Sequence, residues 1–148
     1  MPRFFTLLQA ESLLPEVERL LQSCIHSRQD YESAERELNA FAERVTLAGG
    51  TAFHPAKVSP IRQRKDSAAQ SLAAAAEALG KIGCQVKDLD SGLIDFPTLY
   101  HGEEVLLCWK RGESGISFWH KVADGFAGRR PVDNEFLLNH RGDSSTES

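Results

Sequence analysis

The sequence is sparing with cysteine, methionine and positive charge. Of 148 residues only three are cysteine and one is methionine. Cys24, Cys84 and Cys108 are far apart and odd in number, which excludes a disulfide framework and points to a reducing compartment, the cytoplasm. Seventeen basic against 21 acidic residues give a net charge of −4, so a broad nucleic-acid footprint is excluded. No apolar run approaches the roughly 18–20 residues a bilayer span needs, and no charged–apolar–small order marks a signal peptide. Neither nucleic acid nor a membrane is therefore an expected partner. The standard catalytic strings are missing too: there is no phosphate-binding glycine loop, no His-Glu-x-x-His and no Cys-x-x-Cys. What is present is 41% apolar and 26% charged, the composition of an ordinary globular domain.

The first half reads as helix. Thr6 and Gln9 have the spacing of a capping box, with Phe5 and Ala10 placed as a hydrophobic staple. Pro15 removes an amide and crowds the carbonyl of Glu11, so the expectation is a short first helix, a bend near Ser12–Leu14, and a new helix with Pro15 in its first turn. From there Val17, Cys24, Tyr31, Leu38 and Val45 recur every seven residues, with Leu13, Leu20, Ser27, Ala34, Phe41 and Ala48 at the complementary position. Two such rows form one coiled-coil-like seam. Gly49-Gly50 marks the helix end. Thr51–Ser59 reads as a loop, and a second helix is expected from about Pro60 to Ile82, with Ile61, Ala68, Ala75 and Ile82 in heptad register. At about 1.5 Å per residue the first helix spans roughly 50 Å and the second roughly 35 Å. The return helix then covers the first only from about Ile25 onward. The base left over, Leu13, Leu14, Val17, Leu20 and Leu21, is a wide apolar stripe that needs a broader partner.

The second half supplies it as strands. Cys84–Lys87 alternates apolar and polar residues. Leu93–Tyr100 has strand character that Pro97 demotes to an edge or an irregular piece. His101-Gly102-Glu103 makes a turn into the apolar run Val105–Trp109. Ile116–His120 then places Ile116, Phe118 and His120 on one face and Ser117 and Trp119 on the other. Asp124-Gly125 and Gly128 mark turns, Val132–Asn139 holds a helical turn or two, and the polar tail from Arg141 reads as disordered. The expected fold is α+β: a long antiparallel helical hairpin followed by a small antiparallel β-sheet packed on the hairpin base. It forms one domain over 1–140, helical over 1–82 and strand-rich over 83–140, with a disordered tail at 141–148.

A specific set of motifs follows the second helix. Val86-Lys87-Asp88-Leu89-Asp90, Gly92-Leu93-Ile94-Asp95-Phe96-Pro97, Gly102, the Val105–Trp109 run, Gly112-Glu113, Trp119-His120 and Gly125-Phe126-Ala127-Gly128-Arg129 together resemble an uncharacterised bacterial family, domain of unknown function 2203. Phe5-Thr6-Leu7 and Leu13-Leu14-Pro15-Glu16-Val17 extend the resemblance over most of the chain. The chain departs from it at Gln9, where an acidic capping residue is usual, and in a longer Pro-containing loop after Gly50. The resemblance implies a helical hairpin followed by a strand-rich unit and carries no activity.

Candidate chemistry is confined to the strand-rich part: Asp95, Glu113, His120, Asp124 and Arg129. His120 ends a strand and Asp124 lies in the turn beyond, so with Glu113 they make a metal set of His120, Asp124 and Glu113, to which Asp95 adds a further carboxylate; metal-activated water would then make a hydrolase conceivable. The plainer account has His120 bonded to Asp95 or to a backbone carbonyl and Asp124 capping its Asp-Gly turn. Asp88 and Asp90 flank Leu89 as a carboxylate pair, or else shape a turn through side-chain bonds to the backbone. Gly125–Arg130, with two arginines, offers an anion cradle, or else Arg129 ties its turn to Glu113 or Asp124. Trp109 and Trp119 read as core and the cysteines as buried thiols. A zinc set of Cys84, Cys108 and His120 requires a strand order that brings them together.

Eight acids against four bases lie between Glu11 and Ala48, while Lys57, Arg62, Arg64 and Lys65 against Asp66 make the next helix start basic. These charges read as a solvated face or as groups that pair between chains. A thin two-helix arm buries little, and Tyr31 and Phe41 need more cover than alanines provide. The expected function is a cytoplasmic homodimeric protein-interaction or scaffold protein, joined through the helical arm, with an unidentified protein partner as a further option and no cofactor. The alternative is a small metal-dependent hydrolase or anion-binding module using a divalent metal in the strand-rich part.

Overall fold

The computed structural model describes residues 3–49 and 55–143. Two helices and a small antiparallel sheet build it, the α+β arrangement expected. α1 spans Leu7–Leu47 and packs on α2, Pro55–Ile82. The chain forms two compact units, one of residues up to Leu21 and from Ala78 onward, the other Gln22–Glu77.

The described residues of the Gln22–Glu77 unit are helical except for the turn residues Ala48 and Gly49. Cys24, Ser27 and Ala34 on α1 and Val58, Ala68 and Ala75 on α2 are buried, all on the heptad rows or, for Val58, one turn before Ile61. Beyond Ala34 the rows continue as Leu38, Phe41 and Val45, which are only half-buried. α2 begins five residues earlier than expected, at Pro55. Residues 51–54 of the expected loop lie outside the described residues, and 55–59 are helix. Proline is preorganised for a first helical position, and Pro60 so near the start withholds a single donor, from the carbonyl of Ala56. The basic start of α2 has a partner within the chain: Arg64 pairs with Glu37, and Lys65 lies 3.6 Å from Glu35 and over the Tyr31 ring.

In the other unit, α1 starts with the capping box. Thr6 Oγ1 accepts from Gln9 N–H at 3.1 Å, and Gln9 Oε1 accepts from Thr6 N–H at 2.9 Å; Phe5 and Ala10 are fully buried beside it. The expected bend near Ser12–Leu14 does not occur. α1 runs uninterrupted through Pro15. The ring forfeits one backbone bond at Glu11, while Leu14, Val17, Leu20 and Leu21 on either side of it are all buried. That apolar stripe outweighs the loss: burying four such side chains contributes about 1.5–3 kcal/mol each, against about 3 kcal/mol for an interior proline.

Six strands complete this unit: β1 (Gln85–Asp88), β2 (Leu93–Tyr100), β3 (Glu103–Lys110), β4 (Phe118–Lys121), β5 (Arg130–Pro131) and β6 (His140–Arg141). The sheet is antiparallel in the order β1-β2-β3-β4-β5, with β6 on β2. His101 and Gly102 both have positive φ, 52° and 79°, the two-residue turn whose twist matches a tight hairpin. Phe5 meets Phe96 edge-on at 5.4 Å, and Glu11 Oε2 accepts from Ile116 N–H at 2.9 Å. The sheet thus packs against the start of α1. β4 begins at Phe118, so Ile116 precedes the strand, while Phe118 and His120 share a face and Trp119 takes the other.

Pro97 does not demote β2, which is central. Along one side, β2 pairs continuously with β3. On its other side β1 pairs at Leu93–Asp95 and β6 at Leu99–Tyr100, and Pro97 falls in the gap between them. No ladder amide is required there, and the Pro97 carbonyl accepts from Phe5 N–H at 2.7 Å. The tail expectation also needs correction: Arg141 is in β6, Thr98 Oγ1 donates to its carbonyl, and Asp143 exchanges backbone and side-chain bonds with Phe4. Residues 144–148 of the expected tail lie outside the described residues. α3 (Asn134–Asn139) is capped by Asp133, whose side chain accepts from Phe136 N–H, and Phe136 stacks on Tyr100 and Trp119. No helix among the described residues is long and apolar enough to cross a membrane.

Candidate functional site

The hairpin turn decides what meets in the sheet. Asp95 lies six residues before His101 and Cys108 six after Gly102, so the two face each other across β2 and β3. Cys108 is paired in turn with Phe118 on β4, and His120 follows two residues later on the same face. Asp95, Cys108 and His120 are 1%, 0% and 2% exposed, and one donor atom from each lies within 4.8 Å of the others.

His120 is held from both ends. Its Nδ1 lies 2.8 Å from the Lys121 carbonyl, and its Nε2 lies 3.2 and 3.1 Å from the two Asp95 oxygens. A carbonyl only accepts, so Nδ1 carries a proton. One further proton is then shared between Nε2 and the carboxylate, which keeps the buried pair neutral overall. Burial, reinforced by the Asp95 charge, pushes the Cys108 thiol up to about 12. The thiol is therefore protonated at neutral pH and is no nucleophile.

Glu113 and Arg129 form a second pair. Arg129 Nη2 donates to both Glu113 oxygens at 2.8 and 2.9 Å and to the Cys108 carbonyl at 3.3 Å. Its guanidinium packs against the Phe118 and Phe126 rings at 4.1 and 4.6 Å. Glu113 Oε1 also accepts from Lys110 N–H at 2.8 Å. Burial raises the Glu113 pKa, but the Arg129 and Lys110 bonds outweigh it and hold the carboxyl below its ordinary value. The Glu113 carbonyl accepts from Trp109 Nε1 at 3.0 Å. Glu113 is thus a latch closing the loop after β3.

The five candidate residues therefore sort into two pairs and one remainder. Asp124 is exposed and forms a turn, its N–H donating to the Lys121 carbonyl. His120, Asp124 and Glu113 are not brought together as a metal set: among the described residues, the His, Cys, Asp and Glu side chains close enough to share an ion are Asp95, Cys108 and His120. The anion cradle is not assembled either. Arg129 is committed to Glu113, and Arg130 lies over the Trp119 ring at 5.4 Å. Cys84 does not join Cys108; its thiol donates to the Leu79 carbonyl. Asp88 accepts from Ser91 Oγ at 2.6 Å, the turn-shaping role expected of it. The sequence pattern offered His120 with carboxylates and, separately, with Cys84 and Cys108, but did not join Asp95 to Cys108; counting outward from His101-Gly102 pairs those two.

Fold and cluster together define an α+β protein in which a helical hairpin leads into an antiparallel sheet with a buried Asp-Cys-His set. The chain belongs to the family described as "Uncharacterized conserved protein (DUF2203)", whose model matches residues 3–132, in agreement with the motifs read along the sequence. No curated protein and no solved structure matches it.

Proposed function

We propose that the protein is a cytoplasmic homodimeric interaction or scaffold protein, with the helical pair Gln22–Glu77 as its contact surface. One observation carries this reading. Past Ala34 the larger side chains of the α1 rows are incompletely covered: Leu38, Phe41, Ala42, Val45 and Val58, with Asn39, Thr46 and Arg62, line a cleft of 410 Å³. Phe41 and Leu38 are half-buried there. A second copy of the same helical pair would complete a four-helix core and cover both, each large side chain adding about 1.5–3 kcal/mol on full burial. Cys24, Cys84 and Cys108 are free and buried, which suits a reducing compartment.

The test is light scattering coupled to size-exclusion chromatography over a concentration series. The expected result is a dimer that Phe41→Glu and Leu38→Glu convert to monomer with the helical circular dichroism retained. A wild-type protein that stays monomeric throughout the series overturns the reading.

A further inference from the structure

We propose that Asp95, Cys108 and His120 bind a thiophilic divalent cation, zinc(II) by the chemistry of the donors. This site takes Asp95 and His120 from the carboxylate set and Cys108 and His120 from the zinc set expected from sequence, matches neither set as a whole, and is independent of the dimer.

The three donors come from three adjacent strands, β2, β3 and β4, so backbone pairing holds them in place. The Lys121 carbonyl takes Nδ1–H of His120 at 2.8 Å. That is the outer hydrogen bond that metal-binding histidines ordinarily make, and it leaves Nε2 directed at Asp95. The distances suit a four-coordinate ion. Two ligands at about 2.0–2.1 Å on a tetrahedral centre stand about 3.3–3.4 Å apart, and Nε2 already lies 3.1–3.2 Å from the Asp95 oxygens. A carboxylate, an imidazole and a thiolate together favour zinc over magnesium or calcium, which prefer all-oxygen sites.

Charge makes the same choice. Without an ion the pocket holds a neutral thiol and one proton shared by Asp95 and His120, a net charge of zero. With a divalent ion it holds a carboxylate, a thiolate and a neutral imidazole, again zero. The exchange takes in one M²⁺ and releases two protons to solvent, with no redox step. A monovalent or trivalent ion would leave net charge in a site almost wholly removed from water, which is unfavourable.

Untagged full-length protein, stripped with a chelator, is titrated with cobalt(II) and then zinc(II). The expected result is one ion per chain, with a thiolate-to-cobalt charge-transfer band and intense visible bands that zinc removes. Cys108→Ser loses the charge-transfer band and weakens zinc binding at least about tenfold, while Cys84→Ser behaves as wild type. Near-ultraviolet circular dichroism of Trp109 and Trp119 checks that each variant is folded. If Cys108→Ser does not fold, isosteric Asp95→Asn decides: weakened zinc binding supports the site, and unchanged binding overturns it. Absence of stoichiometric binding by wild type, or an unaltered cobalt spectrum in folded Cys108→Ser, also overturns it.

Discussion

Replacing Asp95 by alanine removes the one side chain that faces His120 Nε2 at hydrogen-bonding distance. Asp95 and His120 side chains are each 2% exposed, so water is not at hand to replace the lost carboxylate. His120 keeps its bond to the Lys121 carbonyl, loses the shared proton, and leaves Nε2 as a buried acceptor without a partner. Breaking a buried pair in this way costs about 3–5 kcal/mol, a large share of the roughly 5–15 kcal/mol that holds a domain folded. Asp95→Asn is the control. Its amide is the same size and can donate to Nε2 of a neutral imidazole, so a neutral hydrogen bond survives and the loss is about 1 kcal/mol. Guanidinium unfolding in the presence of a chelator, followed by tryptophan fluorescence, is the assay, because Trp109 and Trp119 both lie in this sheet. With a slope of roughly 2–6 kcal/mol per molar, the alanine midpoint should fall by about 1 M and the asparagine midpoint by a few tenths. Equal losses in the two variants, or an alanine cost under about 1 kcal/mol, would refute the paired-proton account.

Three further predictions concern pH and thiols. The Glu113 carboxyl is held below its ordinary value, so the native state binds fewer protons there than the unfolded chain. Its stabilisation is complete above about pH 4.3 and is lost as pH falls through the lowered native value; Glu113→Gln should therefore flatten the acid limb of the stability profile, and an unchanged limb would refute the latch. Burial raises all three thiols, Cys84 to about 11 and Cys108 to about 12. All three should react with a disulfide reagent at pH 8 only after unfolding, and a fast native thiol would contradict this. Because the unfolded thiols ionise near pH 8.5 and the native ones do not, stability should decline above that pH, less steeply in Cys108→Ser.

How much could be read in advance follows from the range of each interaction. The capping box of Thr6 and Gln9 and the turn at His101-Gly102 join residues within a few positions, and both were legible; the turn at Asp88 was legible too, but its bond is to the Ser91 hydroxyl and not to the backbone. The heptad rows were legible as well, because period alone selects a helix face. The breaks assigned to Pro15, Pro60 and Pro97 were not sound, for one shared reason. Proline penalises a local bond, and whether that bond is required depends on what lies alongside: a buried stripe around Pro15, a helix start before Pro60, and a gap between two strands beside Pro97.

The amino-acid sequence by itself determined two long helices, the capping box of the first, the hairpin turn and the core character of the tryptophans and thiols, since each is set by local geometry or by the hydrophobicity of a single side chain. Tertiary structure decided the partners. Asp95 meets His120 and Cys108 because strand register and strand order carry residues 13 to 25 positions apart onto one face, and Glu113 meets Arg129 because the segments flanking those strands are brought together. That register depends on hydrogen bonds between distant strands, and no short stretch of sequence contains both ends of such a bond.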